Sequence, residues 1–164
     1  MSSKKIAYCG LLTTVALLLS YVERMLAIPM IVPGMKLGLA NVAILIALYI
    51  LDNKTAFIIS ILRILISALL FTGFASFLYS ASGALLSFVV MVLCKKTNIF
   101  SMIAISILGG ISHNIGQIIV ACLIVENIRL LYYMPFLIIL GIATGFVTGI
   151  VGDKAVYYIK NNEH

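Results

Sequence analysis

The chain has 164 residues, of which 63% are hydrophobic and 10% charged, with a formal net charge of +6 and a mean hydropathy of +1.23. Soluble domains average about half apolar and about a quarter charged residues, and this composition leaves too few polar side chains to cover a surface facing water. The eleven Lys and Arg are scattered between apolar runs and form no basic stripe, so the charge does not indicate a nucleic-acid partner.

A helix that crosses a bilayer needs roughly 20 apolar residues, fewer where neighbours shelter its ends. By that test the chain is one transmembrane domain over residues 1–164, an all-α bundle with spans at 6–22, 37–51, 55–72, 74–94, 99–125 and 131–151. Lys4 and Lys5 before the first apolar run resemble a signal peptide, but no small-x-small site closes it and Glu23-Arg24 follow, so it reads as a retained first helix. Pro29 and Pro33 make residues 25–35 a poor helix and a candidate re-entrant or capping loop beside the short second span. Asp52-Asn53-Lys54 and Lys95-Lys96-Thr97-Asn98 are polar turns, whereas Phe71-Thr72-Gly73-Phe74 is an uncharged hairpin.

With the N-terminus inside, Lys4, Lys5, Lys54, Lys95, Lys96, Lys154 and Lys160 fall on the cytoplasmic side, and only Arg24, Lys36 and Arg129 outside. That bias obeys the positive-inside rule and places both termini in the cytoplasm, in a cell membrane that the bilayer itself solvates. Small residues at four-residue spacing let helices approach where lipid gives no hydrophobic drive to pack them. Gly141, Gly145 and Gly149 on the last helix and Ser76, Ser80 and Ala84 on the fourth read as packing surfaces. Gly10 and Thr14 on the first offer a shorter one, for a neighbour in the bundle or for another subunit.

Polar side chains within the spans are costly and so are candidate functional residues. Arg63 lies about 12 Å into the membrane from residue 55 at 1.5 Å per residue; it either holds an anion or pairs with helix carbonyls and snorkels. His113, Asn114 and Gln117 share the outer half of the fifth helix, His113 and Gln117 on one face. Asn41 comes from the same depth on the second helix, as do Tyr79, Ser80 and Ser82 on the fourth, and together they suggest a binding pocket open to the outside. Lys36, in Pro33-Gly34-Met35-Lys36, is placed to aim its ammonium inward, while Glu23, Arg24, Glu126 and Arg129 lie at the headgroup level. With no acidic residue expected inside the spans, Lys36, Arg63 and His113 make the interior cationic, which suits an anionic or phosphate-bearing small-molecule solute.

No GxxxxGK[ST] loop, Asp-rich pair, HExxH or Ser-His-Asp constellation is present, so no enzyme activity, metal or cofactor is expected. Asp52 and Asp153 stand far apart, and Cys9, Cys94 and Cys122 read as apolar fillers.

At Pro33-Gly34-Met35-Lys36-Leu37-Gly38-Leu39-Ala40-Asn41, at Phe77-Leu78-Tyr79-Ser80 through Gly83, at Ser112-His113-Asn114-Ile115-Gly116-Gln117, and at Leu131-Tyr132-Tyr133-Met134-Pro135, the chain resembles the Gx transporter family, often labelled heptaprenyl diphosphate synthase component I. That family is similar in size and layout to the substrate-binding S components of energy-coupling factor (ECF) transporters. The resemblance implies a six-helix protein of the bacterial plasma membrane that captures a solute from outside, with a membrane T component and cytoplasmic ATPases as partners. S components carry an AxxxA-like surface on the first helix for the T component, which Gly10 and Thr14 only approximate here. The synthase label implies instead a non-catalytic membrane subunit supporting prenyl diphosphate or quinone metabolism.

Overall fold

Helix boundaries in the computed structural model, which describes residues 3–25, 36–71 and 73–162, have local chemical causes. Helix α1 is Ser3–Met25, α2 Asn41–Ile50, α3 Asn53–Phe71, α4 Phe74–Thr97, α5 Met102–Val125 and α6 Met134–Asn161, with a short 3-10 helix, Ile128–Tyr133, leading into α6. Asp52 caps α3 by accepting from the Thr55 amide at 2.8 Å, and Ser101 caps α5 through the Ala104 amide at 3.2 Å. Asn98 ends α4 in the left-handed conformation at φ 55°, and Pro135 sits in the first turn of α6, where its missing N–H is not needed.

Five of these helices are long and apolar enough to cross a bilayer, and among the described residues there is no strand. The chain is therefore a multi-pass, all-α membrane protein. The exposed side chains are those lipid accepts: Leu11 and Leu18 on α1, Leu69 on α3, Leu85 on α4, Ile139 and Phe146 on α6. Several hydroxyls on the helices bond back to their own backbone, as Thr14 does to the Gly10 carbonyl at 3.0 Å and Thr144 to that of Leu140 at 2.9 Å, so those need no solvent.

The elements differ from the expected spans by about a turn at the ends of α1, α4 and α5, and more instructively at α2 and α6. The second helix begins at Asn41 rather than 37, because Gly38 takes a φ of 89° that no helix continues through. Residues 36–40 are irregular yet largely buried, which is tolerated at membrane depth only where protein covers the backbone. The last helix starts later and runs about three turns further than 131–151, since residues 128–133 coil as 3-10 and nothing interrupts the helix beyond 151. The expected capping loop over 25–35 lies outside the described residues apart from Met25, which ends α1.

Packing is closest where side chains are smallest. A Cβ built on Gly145 would stand 2.6 Å from the Ile107 Cα, one on Gly149 2.9 Å from the Ile103 Cα, and one on Gly110 2.4 Å from the Gly141 carbonyl oxygen, so α5 and α6 touch backbone to backbone. Helix α2 touches all five other helices and is buried from Asn41 to Leu48. Its Leu45 and Leu48 join Leu12, Ile59, Met91, Ile105 and Val156 in the main apolar cluster. Helix α1 touches only α2 and α3 among the described residues, and Gly10 has nothing within 4 Å of a built Cβ.

Both ends of the described chain lie at one end of the bundle. Lys5 is ion-paired with Asp52, at the junction of α2 and α3. That contact, with the Thr55 amide second, holds the Asp52 carboxyl down at about 2. Lys95 donates to the Leu48 carbonyl and sits 5.0 Å over the Tyr49 ring, and a cleft of about 730 Å³ there is lined by Tyr49, Lys95, Asp153 and Lys160.

The Gly145→Ala substitution is expected to destabilise the protein by about 1–3 kcal/mol, because its new methyl meets backbone that cannot yield. Gly10→Ala is expected to change stability little. Thermal unfolding of both variants in mild detergent checks the contrast.

Candidate functional site

At the end of the bundle opposite Lys5, five helices bring polar side chains into an otherwise apolar interior. Glu23, in the last turn of α1, turns inward and is buried. Its Oε1 accepts from the amides of Gly38 at 2.6 Å and Leu39 at 2.9 Å. The interior is thus not wholly cationic: α1 runs to Met25, and the expectation of no acid within the spans is corrected by Glu23. Its signal was legible only as one acidic residue at the end of an apolar run.

The same irregular stretch positions Lys36. Its backbone amide donates to Gln117 Oε1 at 3.2 Å on α5, and its ammonium donates to Ser67 Oγ at 3.1 Å on α3. Burial, and after it the nearby Arg63 charge, pull the Lys36 ammonium down to about 8, while Glu23 opposes that shift. Gln117 Nε2 then meets His113 Nε2 at 2.8 Å. With Gln117 Oε1 already accepting, its amide nitrogen donates and the ring nitrogen accepts, so His113 is neutral in this chain and supplies no positive charge. The cationic pair is Lys36 and Arg63.

Close backbone approach builds the rest. Gly38, at φ 89°, lies against His113 and Asn41, its built Cβ 3.1 Å from the ring Cδ2 and 3.2 Å from Asn41 Nδ2. A Cβ on Gly83 would stand 2.7 Å from the His113 carbonyl oxygen, and one on Gly116 2.7 Å from that of Ser82, so α4 meets α5 at the level of the histidine. The residues 38, 83 and 116 were visible only as glycines within motifs; their role in this contact was not.

Arg63 is 2% exposed in the middle of α3, and its charge acts on Glu23, Lys36 and His113. It does not snorkel. Among the described residues neither its Nε nor its Nη2 has a hydrogen-bond partner, and the same holds for Glu23 Oε2, Asn41 Nδ2, Ser80 Oγ and His113 Nδ1, all buried. Ser87 Oγ is also unpaired, but two turns along α4 against Gly109 and apart from this group.

Two expected residues face elsewhere. Asn114 spends its amide on the Leu137 carbonyl at 2.8 Å, tying α5 to α6. Tyr79 packs its ring among Ile118, Ala121, Cys122 and Leu137. Arg24, Glu126 and Arg129 are exposed, as are Gly10 and Thr14 on the outer face of α1. Gly141, Gly145 and Gly149 lie in the α5–α6 contact, away from the cluster. Among the described residues no three His, Cys, Asp or Glu side chains gather as metal ligands.

The family model described as heptaprenyl diphosphate synthase component I matches residues 12–155. The chain belongs to this family. No curated protein and no solved structure matches it. In this heptaprenyl diphosphate synthase component I family member the matched stretch contains every residue of the polar cluster, from Glu23 to Gln117. The name designates one component of a synthase, and the cluster offers no paired carboxylates to hold a metal and a diphosphate.

Lysine-selective NMR titration, with Lys36→Arg used for assignment, is expected to show the Lys36 ammonium titrating near 8. Arg63→Gln should move the Lys36 midpoint up and Glu23→Gln should move it down, because one removes a repelling charge and the other an attracting one.

Proposed function

We propose that this protein is the membrane-embedded solute-binding subunit of an ECF-type transporter, taking a small anionic molecule from outside for uptake driven by partner ATPases. One observation carries the reading: buried polar atoms of Glu23, Asn41, Arg63 and Ser80, on four different helices, have no hydrogen-bond partner among the described residues. A buried unpaired polar group costs roughly 1–3 kcal/mol, and a charged one more, so a fold that keeps several together is compensated by something that binds them. The Arg63 guanidinium and Lys36 ammonium make an anion the natural complement.

In this reading the six helices form the S-component bundle, α2 being the short, enclosed member. The lysine-rich end with Lys5, Lys54, Lys95 and Lys154 faces the cytoplasm, as the positive-inside rule requires, and the cluster opens outward in a bacterial plasma membrane. The exposed α1 face with Gly10 and Thr14 is the surface offered to a membrane T component. No cofactor or catalysis is assigned.

The family name supports a second reading, a non-catalytic membrane subunit assisting prenyl diphosphate or quinone synthesis, in which the same cations meet a diphosphate. Native mass spectrometry from mild detergent separates the two. A retained small anion or co-purifying ATPases support transport, and a retained soluble synthase supports the alternative.

Lys36→Gln and Arg63→Gln are each expected to weaken binding of the retained or identified anion at least tenfold, equal to about 1.4 kcal/mol. Glu126→Gln, at an exposed loop position, should leave it unchanged. Calorimetry on the three variants tests this, and unaltered affinity in both interior variants would remove the cluster as the binding site.

A further inference from the structure

The unpaired atoms of the cluster are of opposite kinds. Arg63 Nε and Nη2, Asn41 Nδ2 and His113 Nδ1 are donors with no acceptor among the described residues. Glu23 Oε2 is an acceptor that calls for a donor, since its Oε1 is already occupied by the Gly38 and Leu39 amides. Ser80 Oγ can serve in either sense.

We propose that the site selects a solute bearing an anionic group together with an N–H or O–H donor on the same small molecule, as amino or hydroxy acids and amino-alkyl phosphates do. The proposal rests on the solute-binding reading above and narrows it. Arg63 and Lys36 against Glu23 leave one formal positive charge to balance. A simple anion would supply that balance and satisfy Arg63 and Asn41, but would bring negative charge toward Glu23 Oε2 and leave that oxygen unpaired. A buried carboxylate oxygen without a partner is the costly outcome. A simple cation would satisfy Glu23 and be repelled by Lys36 and Arg63. Only a molecule with both functions pairs the Arg63, Asn41 and Glu23 atoms together, its anionic end on Arg63 and Asn41 and its donor on Glu23. Glu23 is then a specificity-determining residue, with one oxygen fixing the loop and the other reading the ligand.

The test uses the full chain in lipid nanodiscs and matched probes: glycerate against propionate, which differ in hydroxyl donors at equal charge, and aspartate against succinate, β-alanine against propionate and phosphoethanolamine against ethyl phosphate, in which the donor is an ammonium that also adds one positive charge. Calorimetry is run on the native protein, Glu23→Gln and Arg63→Gln. In Glu23→Gln the side-chain carbonyl still accepts from Gly38 and Leu39, while the second oxygen becomes an N–H donor; thermal unfolding verifies that the variant folds. The expected result is a preference of at least tenfold for the donor-bearing member of a pair, falling below about threefold in Glu23→Gln, with both members weakened in Arg63→Gln.

Equal binding of both members to the native protein, or equal weakening of both by Glu23→Gln, would overturn the proposal and leave the anion-binding function standing. If the native chain binds none of the probes and retains no small molecule on purification, the solute-binding reading falls with it. The preference in the native protein decides the matter even if Glu23→Gln does not fold.

Discussion

Glu23 accepts two backbone hydrogen bonds, from Gly38 and Leu39, and through them α1 holds the irregular stretch that leads into α2. Gly38 is buried and Leu39 half-buried, and neither amide belongs to a helix ladder, so a side chain that satisfies both fixes the stretch. The placement of the interior follows from that tie. With Gly38 pinned, the Lys36 amide reaches Gln117 and its ammonium reaches Ser67, which joins α3 and α5 to the same few residues of backbone. Gln117 in turn orients His113, whose ring lies against both Gly38 and Gly83. One carboxylate thus organises groups from five of the described elements.

The bundle has two textures. Helices α4, α5 and α6 meet through Gly83, Gly116, Gly110, Gly141, Gly145 and Gly149 at distances that exclude any larger residue. Helices α1 and α3 meet through ordinary side chains, and α1 shows Leu11, Leu18 and Val22 to its surroundings. The polar cluster sits across the seam, with Glu23, Lys36 and Arg63 on the looser side and Ser80, His113 and Gln117 on the tighter one. The proposed binding site would thus have one wall of closely packed backbone and one of ordinary side-chain contacts.

Much of this was readable from residue order, for reasons that can be named. Glycines four apart on α6 declare a close helix contact, because no other residue lets backbones touch. Arg63, Asn41 and His113 stand out in apolar runs because lipid makes any polar residue conspicuous. Glu23 was harder, lying at a helix end where an acid facing the headgroups and one facing inward look alike in sequence. The start of α2 was hidden as well: residues 37–51 are apolar throughout except Asn41, and nothing but the achiral Gly38 betrays the positive φ that breaks the helix. Asn114 and Tyr79 are polar at the right depth, yet the direction each side chain takes depends on how α5 and α6 cross, which periodicity along one helix does not contain.

The ten residues of α2 span about 15 Å at 1.5 Å per residue, half the roughly 30 Å of a hydrocarbon core. The shortness is tolerated because α2 touches all five other helices and is buried from Asn41 to Leu48. Bilayer thickness acts as a ruler only on helices that touch lipid. An enclosed helix is measured instead by its neighbours, and the length it gives up leaves room at its N-terminal end, where Lys36 to Ala40 and Asn41 fill part of the interior with polar backbone and amide. Shortening one central helix is therefore a way to hollow a membrane protein from within while its outer walls keep full height.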